Sequence, residues 1–341
     1  MIDNKEKMIS PAPFFVIGAQ RSGTTLLRLM LNSHPDVAIP EEGTFWMPLL
    51  RSYGKNPQAP IQKAVLQNYL RYISKNSQFK LWLLDDSVIR EKALSMERIT
   101  LSHLMSLYYD AYAQVQGKMQ IGDKTPSFFR MVPVLSNLFP QAKFIHIVRD
   151  GRDIYLSLRK MGRKDNISVG ALEWAFKVLK AQRDLAKIDP VRVLQLRYED
   201  LLAAPGSKLE EICAFLHVTY DSAMLDFWKT SHNYIGCHHS QYIFEPVASD
   251  NIKKWKNRLS SVEVAKFQRI AGTQLGRMRY ELDSAVPQVW NSSILFDLAY
   301  GLPCRITKVI LTAIQLKITA RFGLRTDAAG KGILPDNNQA S

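Results

Sequence analysis

Between residues 18 and 25 the chain reads Gly18-Ala19-Gln20-Arg21-Ser22-Gly23-Thr24-Thr25. The segment joins a short apolar run, Phe14 to Ile17, to an apolar-periodic stretch from Thr25 to Leu31. A strand, a loop and a helix in that order gather several backbone N–H groups and a positive helix end around one point, which makes a cradle for a phosphate-like anion. Glycines let the backbone approach the anion, and the hydroxyls of Ser22, Thr24 and Thr25 can donate to its oxygens. The plainer reading is a tight turn with no ligand. The spacing follows the nucleotide loop GxxxxGK[ST], but Thr24 stands where the lysine would be and a basic residue appears instead at Arg21. That exchange argues against ordinary Mg-ATP hydrolysis, because the charge that faces a γ-phosphate is displaced.

A second apolar run, Lys143 to Val148, is followed by Arg149-Asp150-Gly151-Arg152-Asp153 and then by a predicted helix carrying Ser157. Arg149 would emerge at the carboxyl end of a strand, where open α/β sheets bind ligands. Its plainer reading is a salt bridge to a neighbour such as Asp153. Lys124, in Gly122-Asp123-Lys124-Thr125-Pro126, also follows a predicted strand, and as an isolated lysine it would be a solvated surface charge. Glu41 and Glu42 come directly after Pro40, which suits the first turn of a helix.

These residues need a sheet to bring them together. Buried-strand candidates are Phe14 to Ile17, Met119 to Gly122, Phe144 to Val148 and Val191 to Leu196, each separated from the next by helical periodicity. Such alternation predicts an α/β fold: a three-layer sandwich with a central, mostly parallel sheet. Residues 53 to 115 read as a helical insertion rich in aromatics (Tyr69, Tyr72, Trp82, Tyr108, Tyr109), which can pack a core or face an acceptor. One main domain over 1–286, with the insertion inside it, a C-terminal helical extension over 287–325 and a tail over 326–341, is the expected organisation.

A chain of 341 residues has length for a substantial core, and 46% hydrophobic with 22% charged residues is globular. Lys and Arg outnumber acids 45 to 31, for a net charge of +14, which favours anionic partners without choosing among them. Residues 251 to 325 hold thirteen Lys or Arg against four acids, so the excess concentrates there. Three cysteines without CxxC spacing (Cys213, Cys237, Cys304) oppose a disulfide framework and a structural zinc site. With no signal peptide read at the N-terminus, the expected location is cytoplasmic. Arg305 to Phe322 reads as a basic amphipathic helix, too short in its uncharged run to span a bilayer. It would pack on the domain or lie peripherally on an acidic membrane surface.

Taken together, the two loops resemble the 5′-phosphosulfate and 3′-phosphate motifs of sulfotransferases that use 3′-phosphoadenosine 5′-phosphosulfate (PAPS). The resemblance covers residues 14 to 258, and His34-Pro-Asp-Val followed by the Glu pair is similar to the tyrosylprotein and bacterial branch. It implies PAPS as donor, a hydroxyl-bearing acceptor (glycan, lipid, peptide or small molecule), no metal and no nucleic acid partner. It implies Glu42 as general base, with Glu41 as the register alternative and His34 as a helix-end residue. Arg21 and Lys124 would stabilise the transferring group. Ser22, Gly23, Thr24 and Thr25 would hold the 5′ end, and Arg149 with Ser157 the 3′-phosphate. Tyr198, in Arg197-Tyr198-Glu199-Asp200-Leu201, would lie near the adenine nucleotide, and Lys253 or Lys254 would reach the 3′-phosphate. Near His238-His239-Ser240 the sequence departs from that branch, which leaves Ser240 a weak candidate; the histidine pair has no second ligand set for a metal. Two readings of other classes stand beside this one. One is a P-loop kinase or nucleotide hydrolase; the other is a non-enzymatic basic module for membranes or nucleic acid, which would need neither Arg21 nor Glu42.

Overall fold

The structure, a computed structural model, describes residues 12–163, 166–231, 243–248 and 251–303. The expected helix 305–322, the tail 326–341 and the residues His238, His239 and Ser240 lie outside the described residues.

Five strands form one parallel sheet: β1 (Phe14–Ile17), β2 (Val37–Ala38), β3 (Gln120–Lys124), β4 (Lys143–Val148) and β5 (Val193–Arg197). Their order is β2-β3-β1-β4-β5. Phe14 lies beside Gly122 on one side and Lys143 on the other, which puts β1 in the centre. Because successive side chains point to opposite faces, Phe14 and Val16 enter one core and Phe15 and Ile17 the other. Every residue of β1 and β3 is buried, as befits parallel strands covered on both sides.

One face is covered by the Thr24–Asn32 helix, through Leu26, Leu27, Met30 and Leu31, and by the Pro205–Leu216 helix, through Leu209, Ile212 and Leu216. The other face carries an aromatic cluster drawn from the helices between residues 47 and 115. Phe45 packs edge-on against Phe79 and Trp82, and Trp82 stacks on Tyr109 with ring centroids 6.0 Å apart. Of the insertion aromatics, Tyr69, Trp82, Tyr108 and Tyr109 are buried in this core and only Tyr72 is exposed. Burying each such side chain contributes roughly 1.5–3 kcal/mol, so the cluster is a main anchor of the insertion.

Two strands differ from the sequence expectation in their ends. β3 begins at Gln120 and runs through Asp123 and Lys124, because both charged side chains find partners inside, whereas Met119 is exposed. β5 begins at Val193, since Asp189 accepts from the Val191 N–H and turns Pro190–Arg192 into a short 3₁₀ helix. β2 was not expected; two residues carry no periodicity to read.

The chain divides into two compact units, one formed by residues up to 154 with 176–254, the other by 155–175 with residues from 255 onward. The first holds the sheet. In the second, the Ser261–Arg277 helix starts with a reciprocal capping box between Ser260 and Glu263, and Trp174 packs against Phe267 and Tyr280.

Candidate active site

The crossover leaving β1 runs to the β2 side of the sheet and the one leaving β4 runs to the β5 side, so adjacent strands send their chains in opposite directions. That switch point opens a crevice at their carboxyl ends. The loop after β1 enters it. A Cβ on Gly18 would sit 2.5 Å from the Ile147 carbonyl oxygen of β4, so only glycine lets the loop start there. Arg21 has φ 69° and Gly23 φ 93°, both left-handed, which reverses the chain into the Thr24–Asn32 helix. Neither a side-chain cap nor an acidic first-turn residue is present at that helix start, so its leading N–H groups keep their positive end toward the crevice. Ser22 is fully buried and its hydroxyl donates to the Ala19 carbonyl, holding the turn closed from within. Thr24 is buried and Thr25 half-buried at the helix start.

The loop after β4 meets the loop after β1. Arg149 Nη1 donates to the Arg21 carbonyl at 3.3 Å and Nη2 to the Asn251 carbonyl at 2.7 Å. Its guanidinium also lies over the Tyr198 ring, 4.5 Å from the centroid, and the Tyr198 hydroxyl accepts from Asn251 Nδ2 at 2.9 Å. Tyr198 is therefore a hub: a Cβ on Gly23 would stand 2.3 Å from its ring. The turn itself is fixed by Asp150, whose carboxylate accepts from Arg152 Nε and Nη2 at 3.0 and 2.7 Å, while its N–H donates to Glu199. Lys253, exposed and left-handed at φ 52°, and half-buried Lys254 follow Asn251. Ser157 lies in the Gly151–Lys160 helix, half-buried, in the second compact unit.

The third element is the end of β3. Lys124 is buried, yet its Nζ reaches Glu42 Oε1 at 2.6 Å and Thr25 Oγ1 at 3.5 Å. One lysine thus ties Glu42 to the start of the helix after the phosphate-type loop. Glu42 keeps a third of its side chain open to solvent, at 34%. Its neighbour Glu41 turns the other way: Arg28 Nη1 donates to its carboxylate at 2.5 Å and Trp82 Nε1 to its carbonyl at 2.9 Å, both in buried surroundings. Behind Lys124, Asp123 accepts from Tyr109 Oη at 2.8 Å and Thr125 Oγ1 at 2.6 Å. With its proton given to Asp123, Thr125 accepts the Gly43 N–H at 2.7 Å, which fixes the backbone just after Glu42. Burial raises the Asp123 carboxyl to about 6 and lifts the Tyr109 phenol as well.

His34 is buried. Its Nδ1 accepts the Asp36 N–H at 3.0 Å, so Nε2 carries the proton and donates to the Thr219 carbonyl at 2.6 Å. It is thereby a helix-end clamp. Sequence reasoning singled out neither Asp123, Thr125 and Asn251 nor the Arg28 partner of Glu41. The signal for the first two lies in the sequence, since both flank Lys124 in the Gly122–Pro126 segment. Asn251 and Arg28 act only through contacts far along the chain. Among the described residues no cluster of His, Cys, Asp and Glu is arranged to hold a metal ion, and no helix is long and apolar enough to cross a membrane.

Several known proteins are similar to this chain. An uncharacterised protein of Aquifex aeolicus (strain VF5) is 25% identical over 269 residues, 76% of this chain, but the match spans only 31% of that protein's own length. Protein-tyrosine sulfotransferase A of Caenorhabditis elegans is 24% identical, over 81% of this chain and 69% of its own. Among solved structures, the sulfotransferase domain of the Synechococcus PCC 7002 olefin synthase superposes with a TM-score of 0.54 at 22% identity, covering 80% of this chain and 97% of that one. That likeness fixes the fold. The sequence model of the Sulfotransferase family matches residues 13–222, from the start of β1 to beyond the Pro205–Leu216 helix, and on that match over more than half its length the chain belongs to the sulfotransferase family.

Proposed function

We propose that this chain transfers a sulfuryl group from PAPS to an acceptor hydroxyl, with Glu42 as the general base. The observation that carries the reading is the Lys124–Glu42 pair at 2.6 Å, held beside Thr25 at the mouth of the β1 loop. The residues suit a phosphosulfate. The loop offers uncapped helix amides, left-handed backbone at two positions and a glycine pressed on Ile147, which suits close approach of an anion to the backbone.

When bound, the donor supplies the sulfuryl group, whose S–O bond to the 5′-phosphate breaks as the acceptor oxygen bonds to sulfur. The chain's own groups do the rest. The amides around Gly23 to Thr25 and the Arg21 guanidinium bind the phosphosulfate end. Arg149 binds the 3′-phosphate, Tyr198 lies beside the adenine nucleotide, and Lys253 or Lys254 adds charge from the following segment. Glu42 accepts the proton of the acceptor hydroxyl. Once protonated it no longer competes for Lys124, whose charge is then available to the oxygens on which negative charge accumulates. The acceptor class is a hydroxyl; the worm relative is named for protein tyrosine.

Glu42→Gln should retain binding of 3′-phosphoadenosine 5′-phosphate (PAP), read as a thermal shift, and lose about 10²- to 10⁴-fold in transfer of labelled sulfate from PAPS. Undiminished transfer removes Glu42 as base. A wild-type protein that shows no shift with PAP removes the donor.

A further inference from the structure

The helix described over 291–303 is built inside out. Its inward positions are Ile294, Asp297, Leu298 and Gly301, at helical spacing. Asp297, the one charged residue in 291–303, faces inward: its carboxylate accepts from Lys266 Nζ at 2.8 Å and Ser168 Oγ at 2.7 Å, and its carbonyl accepts from Asn166 at 2.8 Å. The outward positions are Ser292, Leu295, Phe296, Ala299, Tyr300 and Pro303, without a charge among them. Leu295, Phe296 and Tyr300 are exposed by 64%, 73% and 71%, and Trp290, just before the helix, by 76%. Single exposed apolar side chains are ordinary, but three large ones on one uncharged helix face, with Trp290 exposed just before it, mark a docking surface.

We propose that this face docks on an acidic membrane surface. Three observations favour lipid over other occupants. Tyr, Phe and Leu on one side of a short helix, with a Trp at its start, are the side chains that settle at the boundary between headgroups and acyl chains. A cation stands at the start of the helix, where Arg269 Nε reaches Asn291 at 3.4 Å, and Arg277 and Arg279 are exposed in the same unit. The sequence that continues from the helix adds Arg305, Lys308, Lys317 and Arg321 with no acid among residues 304–325. Cationic groups near anionic headgroups add attraction, so the basic sequence and the apolar face act together.

The test is flotation of the full chain with vesicles of phosphatidylcholine alone and of phosphatidylcholine mixed with phosphatidylglycerol. The wild type should float with the mixed vesicles, less with the neutral ones, and less as salt rises. The double substitution Leu295→Ser with Phe296→Ser should weaken binding to the mixed vesicles by about tenfold or more. Its melting temperature and PAP shift should be unchanged. Trp290→Ser, outside the helix, provides a second variant should the double one fail to fold. Absence of wild-type flotation, or flotation that both variants leave intact, overturns the proposal. So does a wild type that forms dimers which the variants dissociate without any vesicle binding, because the face would then belong to a second copy. A large fall in melting temperature in both variants, with no vesicle binding by the wild type, also overturns it, since the face would then be covered by the chain's own residues.

Discussion

Two neighbouring carboxylates show how a single residue's surroundings decide its use. Glu41 lies against Arg28 in a buried pair, and removing one member of such a pair strands the other charge. Glu41→Gln should therefore cost about 3 kcal/mol in urea melts, while Glu42→Gln, at a half-open site, should cost far less. Equal losses would mean that Glu42 is also structural. Asp123 makes a pH prediction. Burial raises its carboxyl from the ordinary 3.8 to about 6, so between those values the folded chain holds a proton that the unfolded chain has released. Stability from this group is fully present below about pH 4 and is lost as pH rises through about 6. Asp123→Asn removes the titration. The difference in unfolding free energy between wild type and variant should then change across pH 4 to 6 and be level above it. A difference level over the whole range would show that Asp123 folds already ionised.

At the level of elements, what could be read in advance was what local pattern carries. β1 and the helix after it are an apolar run, two glycines and a periodic stretch, and their ends fell within a residue of the expectation. Glu42 and Lys124 were both legible as candidates, but not their mutual contact, which spans 82 positions. Polarity ends β3 short, at Gly122, because Asp123 and Lys124 look like solvent residues until Tyr109, Thr125 and Glu42 are set around them; tertiary partners override polarity. β2 has too few residues to signal at all. The hub at Tyr198 was likewise invisible as packing, although the residue had been singled out, and it bears on Gly23. Gly23→Ala meets both a left-handed φ and the Tyr198 ring, whereas Gly117→Ala, at φ 65° with nothing within 4 Å, meets strain alone. Gly117→Ala should cost about 1 kcal/mol and leave PAP affinity untouched. Gly23→Ala should cost more and also weaken PAP binding. Equal behaviour of the two would dissociate Tyr198 from the loop.

For the whole molecule, the sheet order and the charge distribution have one consequence that no single residue carries. Loops after β1, β3 and β4 converge at one end of a five-stranded sheet, and a protein of net charge +14 brings Arg21, Lys124 and Arg149 to those loops. Such an arrangement binds anions in general, so selectivity must come from where each cation stands. A triphosphate needs a lysine directly after the second loop glycine, and Thr24 occupies that place. A nucleotide with separate 5′ and 3′ phosphates instead needs cations on two different loops, and in the proposed function Arg149 on the β4 loop is the second. PAP at a hundred times its dissociation constant should then stabilise the folded chain by about 2.7 kcal/mol. Mg-ATP at the same concentration should give a much smaller thermal shift. Under the proposed reading, Arg149→Ala should abolish the preference for PAP, because it removes the cation assigned to the 3′-phosphate. If Mg-ATP matched PAP in the wild type, the loop would be reading one phosphate chain rather than two separated ends, and the assignment of a PAPS donor would fall with it.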